Sequence, residues 1–511
     1  MKKFFSFFVS RMLIIFVMIA VQAFLLIMIA TVFDAISDTI DIFFVVLSLI
    51  MTVYIINKRQ NSSYKLAWII PILFLPVLGI LLYLFFSQRK LSKKMRLRGL
   101  EIYSKSSRLL GQDRRIVREI SGDLDVKRQS DYIKNASDFP VYDKTETKYF
   151  PMGEDFYKEL LVELETAEKY IFMEYFIVHE GHEMWNTIFE ILKRKAKQGV
   201  EVRFMYDDIG CIHTLPNKYY KKIQEAGIKC AVFNPLRPTL SSMFNNRDHR
   251  KITSIDGRVA FCGGANLADE YINVKQRFGK WKDAVVMLKG AAAWGFTVMF
   301  LQMWGNMQTV DDDYSIFRPD EKYIAQFVSD GYVQPFADAP VIPENVSENV
   351  YLNMISKAKN YLYINTPYLI IDNEIMTALT NAAKCGVDVR IVTPHIPDKK
   401  FVFLVTRAYY AQLIEAGVKI YEYTPGFIHS KTFCCDDVLG IVGTVNLDYR
   451  SLFLHFECGA WMYKTSAIMD MKKDYLETLD VCQEVTIEVV KSTKWYVRIM
   501  QSILRVFAPL M

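Results

Sequence analysis

The chain predicts an α/β protein of two similar halves packed pseudo-symmetrically, preceded by N-terminal transmembrane helices. Three observations predict this. One motif occurs twice with the same spacing, as His249-x-Lys251-x4-Asp256 and His429-x-Lys431-x4-Asp436. Before each copy, strand-like apolar runs alternate with helix-like segments that stop at Gly, in the same order. Hydrophobic residues make up 51% of the chain, and their excess lies before residue 90.

Residues 1–88 read as a membrane anchor with apolar segments 12–33, 40–57 and 66–86. The first has only Gln22 and Thr31 as polar breaks, and its 22 residues are enough to cross a bilayer. That core is too long for a cleaved signal peptide, so the anchor is retained. The first loop carries Asp34, Asp38 and Asp41 and no Lys or Arg. Basic residues cluster at Lys2, Lys3 and Arg11, at Lys58, Arg59 and Lys65, and densely from Arg89 to Arg98. Three full crossings would separate these clusters, against the positive-inside tendency. Pro71, Pro76 and Gly79 can break the third segment into a re-entrant turn, which leaves every basic cluster inside. A plain third span would put the halves outside, and both arrangements stay open. The first gives a multi-pass protein of the cell membrane with its halves in the cytoplasm. Residues 89–140 read as a basic juxtamembrane linker, whose stretch Arg89 to Arg98 is a solvated stop-transfer flank, a segment attracted to anionic lipid by about 1 kcal/mol per basic residue, or both.

The halves span 141–310 and 346–485, with an acidic, Pro-spaced connector at 311–345. The first opens with Ala167-Glu168-Lys169-Tyr170-Ile171-Phe172, the second with Ala358-Lys359-Asn360-Tyr361-Leu362-Tyr363. Lys197-Gln198-Gly199 and Lys384-Cys385-Gly386 end helices before a second strand. Glu225-Ala226-Gly227 and Glu415-Ala416-Gly417 repeat that step, so each half is expected to hold a largely parallel sheet. Gly227 precedes His249 by 22 residues but Gly417 precedes His429 by 12, and the longer loop, with Pro235, Pro238 and Phe244, is a candidate rim. Residues 486–511 read as an amphipathic helix. Tyr496, Ile499, Ile503 and Phe507 lie on one face, and Lys494, Arg498, Ser502 and Arg505 on the other. It suits a membrane interface or a dock on the core.

His and Lys two apart on a strand share a face, so each pair can point into the cleft between halves. Two imidazoles across a phosphodiester can run a two-step transfer: one attacks phosphorus, the other protonates the leaving oxygen. The lysines neutralise charge. A lone His is usually structural. The shared company of His249 and His429 sets them apart from His179, His182, His213, His395 and His455. The candidate catalytic set is His249, Lys251, Asp256, His429, Lys431 and Asp436. Within it, Asp256 and Asp436 lie at odd separation from the lysines and are expected to face away and bond backbone.

Each motif leads, 17 residues from His to Asn, to a small-residue turn: Gly263-Gly264-Ala265-Asn266 and Gly443-Thr444-Val445-Asn446. Gly264, Asn266, Thr444 and Asn446 are the candidate substrate-binding positions. An attacking imidazole needs an acceptor on its second nitrogen. Glu457 in the second half and its counterpart Asp283 in the first are the candidates. The eight cysteines form no C-x-x-C pair, and no acidic or histidine spacing suits a metal, so neither metal nor cofactor is expected. The free thiols point to a reducing compartment.

These motifs resemble the phospholipase D superfamily, with its duplicated H-x-K-x4-D and trailing Asn motif. Gly443-Thr444-Val445-Asn446-Leu447-Asp448-Tyr449-Arg450-Ser451, the terminal Phe507-Ala508-Pro509-Leu510-Met511 and Leu75-Pro76-Val77-Leu78-Gly79 narrow the resemblance to bacterial cardiolipin synthases. The resemblance implies two phospholipase D-like α/β sandwich halves. It implies that two phosphatidylglycerol molecules become cardiolipin and glycerol through a phosphohistidine, without metal, with His249 attacking and His429 as acid and base. His455 departs from the Asn expected there, and Gly264 from a frequent Ser. The expected partners are phosphatidylglycerol, other anionic phospholipids and the membrane. The sequence does not indicate an oligomeric state. One rival is a phospholipase D or phosphatidyltransferase with another acceptor, such as water, ethanolamine or serine. A membrane-tethered nuclease would carry a long basic, aromatic-lined groove, and no such stripe appears, so no nucleic acid is expected. A non-catalytic scaffold would have lost a His or Lys, and neither half has.

Overall fold

The computed structural model describes residues 20, 21, 23, 24, 27, 28, 31, 32, 38–87, 93–236, 245–307, 313–342 and 344–510. The apolar segment 12–33 falls mostly outside these, as do Pro238 and Phe244 of the candidate rim. Among the described residues no helix is long and apolar enough to cross a membrane.

The segment 66–86 is broken instead. A helix Ser62–Phe74 stops at Leu75, which lies outside helical geometry, and a second helix Pro76–Phe86 starts with proline in its first turn. A Cβ on Gly79 would lie 2.4 Å from the Pro71 carbonyl oxygen. Eight residues of straight helix would span about 12 Å, so the chain folds back here. Tyr64 Oη then donates to the Ser87 carbonyl at 3.0 Å, bringing the end of the segment back beside its start. The preceding helix, Asp38–Ile56, leaves Ile42, Phe43, Leu49, Ile50 and Val53 exposed.

Residues 89–140, expected as a linker, hold three packed helices: Lys93–Ser106, Arg114–Ile120 and Leu124–Ser137. Arg98 Nε donates to the Gly305 carbonyl at 2.8 Å, and Trp461 Nε1 to Gln129 Oε1 at 3.2 Å.

The first half is a seven-stranded sheet of β1 (Thr145–Phe150), β2 (Tyr170–Tyr175), β3 (Glu201–Asp207), β4 (Lys229–Phe233), β5 (Lys251–Ile255), β6 (Val259–Gly263) and β8 (Val285–Gly290), in the order β1-β8-β6-β5-β2-β3-β4. The short β7 (Lys280–Lys282) leaves this sheet for the other half. The second half has β9 (Tyr332–Asp338), β10 (Tyr361–Asn365), β11 (Leu369–Ile370), β12 (Asp388–Pro394), β13 (Lys419–Tyr423), β14 (Gly426–Ile428), β15 (Thr432–Cys435), β16 (Leu439–Gly443), β17 (Leu447–Asp448), β18 (Glu457–Tyr463) and β19 (Cys482–Val485). Its eight-stranded sheet runs β19-β13-β12-β10-β15-β16-β18-β9.

Only β2-β3-β4 and β10-β12-β13 pair in parallel; the remaining pairs of both sheets are antiparallel. The expectation of largely parallel sheets is corrected to mixed ones. Each motif strand returns at once through a hairpin. Asp256 and Gly257, and equally Asp436 and Asp437, are consecutive left-handed residues at its turn. The connector is corrected as well: β9 lies within it and forms the edge of the second sheet on β18. The buried helix Ala293–Met307 belongs to a core shared by the halves, in which Cys262 Sγ and Cys458 Sγ lie 3.7 Å apart. The terminal helix Trp495–Phe507 has no buried residue.

Candidate active site

His249 and His429 each sit just before a motif strand, with the backbone docked on the opposite half. His249 N–H donates to the Phe456 carbonyl at 3.0 Å, and His429 N–H to the Lys282 carbonyl at 2.7 Å. The parallel pairing of β14 with β7 and the bridge Asp248–Phe456 form this two-way seam. Both histidines and both lysines are buried.

The acceptors are crossed between halves. His249 Nδ1 bonds Glu457 at 2.9 and 3.0 Å, and His429 Nδ1 bonds Asp283 at 2.7 Å. Glu457 belongs to the second half and Asp283 to the first, so the pairing read within each half is exchanged. A carboxylate only accepts, so each Nδ1 carries the proton and each Nε2 keeps its lone pair. Lys251 Nζ bends back to the His249 carbonyl at 2.6 Å, and Lys431 Nζ does the same with His429.

The motif aspartates lie at the far ends of these strands. Asp256 takes the backbone N–H groups of Glu168, Lys169 and Tyr170, and Asp436 those of Lys359, Asn360 and Tyr361. Their carboxylates hold the entry of β2 and β10 and do not reach the histidines. Their place in the catalytic set is corrected to a structural one.

The turn residues divide. Thr444 Oγ1 donates to Glu457 and accepts from Cys458 N–H at 3.0 Å, which fixes the carboxylate under His249. At Gly264 an added Cβ would stand 2.0 Å from Asp283 Oδ1 and 3.0 Å from the His429 carbonyl oxygen. The departure from Ser thus has a cause, since the shorter Asp283 approaches where a side chain would be. Asn266 is engaged, accepting from Ile177 N–H at 2.9 Å and donating to Tyr271 Oη at 2.8 Å. Asn446 is buried, and its Oδ1 has no hydrogen-bond partner among the described residues.

Phe176 meets His249 edge-on at 4.9 Å, and Trp281, Tyr271 and Phe427 surround His429 at 5.4 to 5.8 Å. Burial is the largest influence on titration here. It holds His249 well below 6.5, with Lys251 and Lys431 pushing the same way. His429 is lowered to about 4 by burial and Lys431, against the opposing pull of Asp283. Burial lowers Lys251 to about 8, and burial outweighs the pull of Asp283 to lower Lys431 to about 7. These surroundings favour neutral imidazoles and are receptive to an anion.

Sequence spacing offered no metal cluster, yet folding brings His249, His455 and Glu457 together, and likewise Glu348, Asp372 and Glu374. The first set is committed to the histidine pairing, because a cation there would displace the Nδ1 proton from Glu457. The aromatic walls carry no linear signal; no spacing marks Phe176, Tyr271 or Trp281 as neighbours of a histidine on another strand.

The chain matches the family described as "Cardiolipin synthase, PLD-like domain" over residues 160–304 and 351–479. Residues 46–88 match "Phospholipase_D-nuclease N-terminal". It is 33% identical to a cardiolipin synthase of Alkalihalophilus pseudofirmus, over 93% of this chain and 94% of that protein. A 38% identity to a cardiolipin synthase of Geobacillus kaustophilus covers 73% of this chain and 74% of that one. Among solved structures, a phosphatidylserine synthase of Haemophilus influenzae shares the fold, with a TM-score of 0.56 and 15% identity over 75% of this chain and 97% of that chain.

Proposed function

The chain belongs to the cardiolipin synthase family with phospholipase D-like domains, and from that premise we propose how its residues divide the phosphatidyl transfer. His249 Nε2 attacks the phosphorus of one phosphatidylglycerol. The N–P bond forms as the bond to the headgroup glycerol oxygen breaks, and protonated His429 gives its Nε2 proton to that oxygen. Neutral His429 then takes the proton of a hydroxyl on a second phosphatidylglycerol. That oxygen attacks phosphorus, cardiolipin leaves, and His249 is free again. A bound phosphodiester brings negative charge against Lys251, Lys431 and His429, which raises His429 above the value its protein surroundings set and recharges the lysines. Choosing His249 as nucleophile follows the family resemblance, and its carboxylate, held by both oxygens and by Thr444, suits the imidazole that becomes cationic on phosphorylation.

The observation that carries this reading is the crossed pair of buried His–carboxylate bonds with both lysines beside them. Neither half holds a complete set alone, as expected for a reaction that uses one histidine from each. The test is purified protein with labelled phosphatidylglycerol. Cardiolipin and glycerol in equal amounts are expected, with a phosphoryl adduct mapped to His249. Phosphatidic acid as the main product would refute the synthase reading, and an adduct only at His429 would exchange the roles.

We further propose a membrane-bound protein with its halves on the cytoplasmic side. The terminal helix exposes Trp495, Tyr496, Ile499, Met500 and Ile503 and touches the helix Ser62–Phe74 of the anchor. Leu504 and Arg505 hold one side of this helix to the second half, and the apolar face left open beside the anchor hairpin suits the membrane interface.

A further inference from the structure

A cavity of about 820 Å³ lies between the anchor and the second half, and its polar floor is His455. The anchor turn 58–61 lines one side, Arg96 and Leu100 another, and Val341, Ile342 and Phe453 the apolar remainder. The size is typical of a ligand site, where pockets run roughly 300 to 1,000 Å³. Arg59 and Arg96 are exposed, and neither forms an ion pair among the described residues. The two carboxylates on the wall are engaged elsewhere. Asp338 accepts the N–H groups of Val346 and Ser347, and Glu344 accepts from Tyr132 and Asn349.

At the floor, neither ring nitrogen of His455 has a hydrogen-bond partner among the described residues, and only 11% of its side chain is exposed. Its Nδ1 is 3.6 Å from Glu457 Oε1, and its ring centre is 5.6 Å from that of His249. A buried imidazole with both nitrogens unpaired leaves two hydrogen bonds unmade, so a ligand is the natural partner. Burial holds His455 at about 3, so the ring is neutral and offers one donor and one acceptor.

We propose that this cavity binds the headgroup of the second, acceptor phospholipid, with its phosphate at Arg59 and Arg96 and one glycerol hydroxyl at His455, which leaves the other for His429. The anchor turn is then part of the site, and a lipid at the anchor reaches the phosphoryl group on His249 past His455. This rests on the reading of His249 and His429 above. It also gives the departure from Asn at 455 a use, since a larger ring with two polar atoms fills the floor and reaches toward Glu457.

The experiment uses the full chain in vesicles of phosphatidylglycerol and compares two activities. Exchange of labelled free glycerol into phosphatidylglycerol needs the phosphohistidine but no second lipid headgroup; cardiolipin formation needs both. For the double variant Arg59→Gln/Arg96→Gln, cardiolipin formation is expected to fall about tenfold or more, and exchange by less than about twofold. His455→Phe should also lower cardiolipin formation about tenfold or more, and His455→Gln should recover part of it. Equal loss of both activities would place the donor in the cavity, and no loss of either would leave it without a lipid; each overturns the proposal. His249→Ala must abolish both, and if it does not, the underlying reading fails separately. Wild type is also challenged with deacylated headgroup, glycerophosphoglycerol, and with inorganic phosphate. Inhibition of cardiolipin formation by the first alone is expected, and equal inhibition by both would make the cavity a plain anion site and refute the assignment.

Discussion

His249 and His429 both keep the Nδ1 proton on a carboxylate, so their reactivity rests on Nε2. Each should be indispensable, because general acid–base and nucleophilic roles contribute about a hundredfold or more apiece. His249→Ala and His429→Ala are expected to abolish cardiolipin formation with little change in Tm. Activity within about tenfold of wild type in either would contradict the two-histidine mechanism. The lysines set the pH profile. Lys431 at about 7 and Lys251 at about 8 lose their charge as pH rises through those values, and with it the attraction for a phosphodiester. The kcat/KM of the free enzyme should therefore fall between about pH 7 and 8. On the acid side His249 stays neutral below 6.5, because burial lowers it, and a falling pH favours the protonated His429 that the first transfer needs. Activity should persist down through that value. Lys431→Arg should move the basic limb upward, and a profile flat to about pH 9 would exclude the lysines from that limb. Turnover should also survive chelation, since the lysines supply the charge. Loss in EDTA restored by a divalent ion would contradict this. These residues were legible because the motif is duplicated. The crossing of Asp283 and Glu457 was not, because it is set by two long-range seams and not by any spacing within a half.

The motif strand and its return form the working element in each half. The histidine is at one end and the aspartate at the other, and the aspartate ties the hairpin turn to the start of the neighbouring strand. Three backbone N–H groups converge on each carboxylate, and hydrogen bonds to a charged group are worth about 1.5–3 kcal/mol each in buried settings. Asp256 is 6% exposed, whereas the bonds of Asp436 lie largely at the surface. Asp256→Ala is thus expected to lower stability by at least about 2 kcal/mol and Asp436→Ala by less, read as denaturant midpoints. A larger loss at Asp436 would contradict this burial argument. Sequence periodicity found the strands and the helix-to-Gly stops, because both are local. It missed the hairpins although Asp256-Gly257 is a standard turn pair, since the helix–Gly–strand rhythm before it suggested parallel pairing throughout. It also read 89–140 and 311–345 by charge and proline content, while the helix Lys93–Ser106 is held by the distant helix Ala293–Met307, and Leu124–Ser137 and β9 by the second sheet.

For the whole molecule, the question is which side of the membrane the two halves occupy. The basic clusters at 58–65 and 89–98 flank a segment whose ends meet, since Tyr64 bonds Ser87 and Gly79 packs on Pro71. A segment that returns to its starting level places both clusters on one side, and basic residues favour the cytoplasm. The break was legible as Pro71, Pro76 and Gly79, but its direction depends on packing that no local pattern encodes. On the proposed topology the halves and the terminal helix would face the cytoplasmic leaflet, with the acidic first loop on the other side. The test uses single cysteines at Ser104, which is exposed, and at Ser37 in the acidic loop, after Cys385 and Cys482 have been replaced by Ser. The other native cysteines are buried. Intact cells are treated with an impermeant thiol reagent. Ser37→Cys should label, and Ser104→Cys should label only after the membrane is opened. Labelling of Ser104→Cys in intact cells would put the halves outside. The hairpin would then have to open into a full span, and the substrate would be drawn from the outer leaflet.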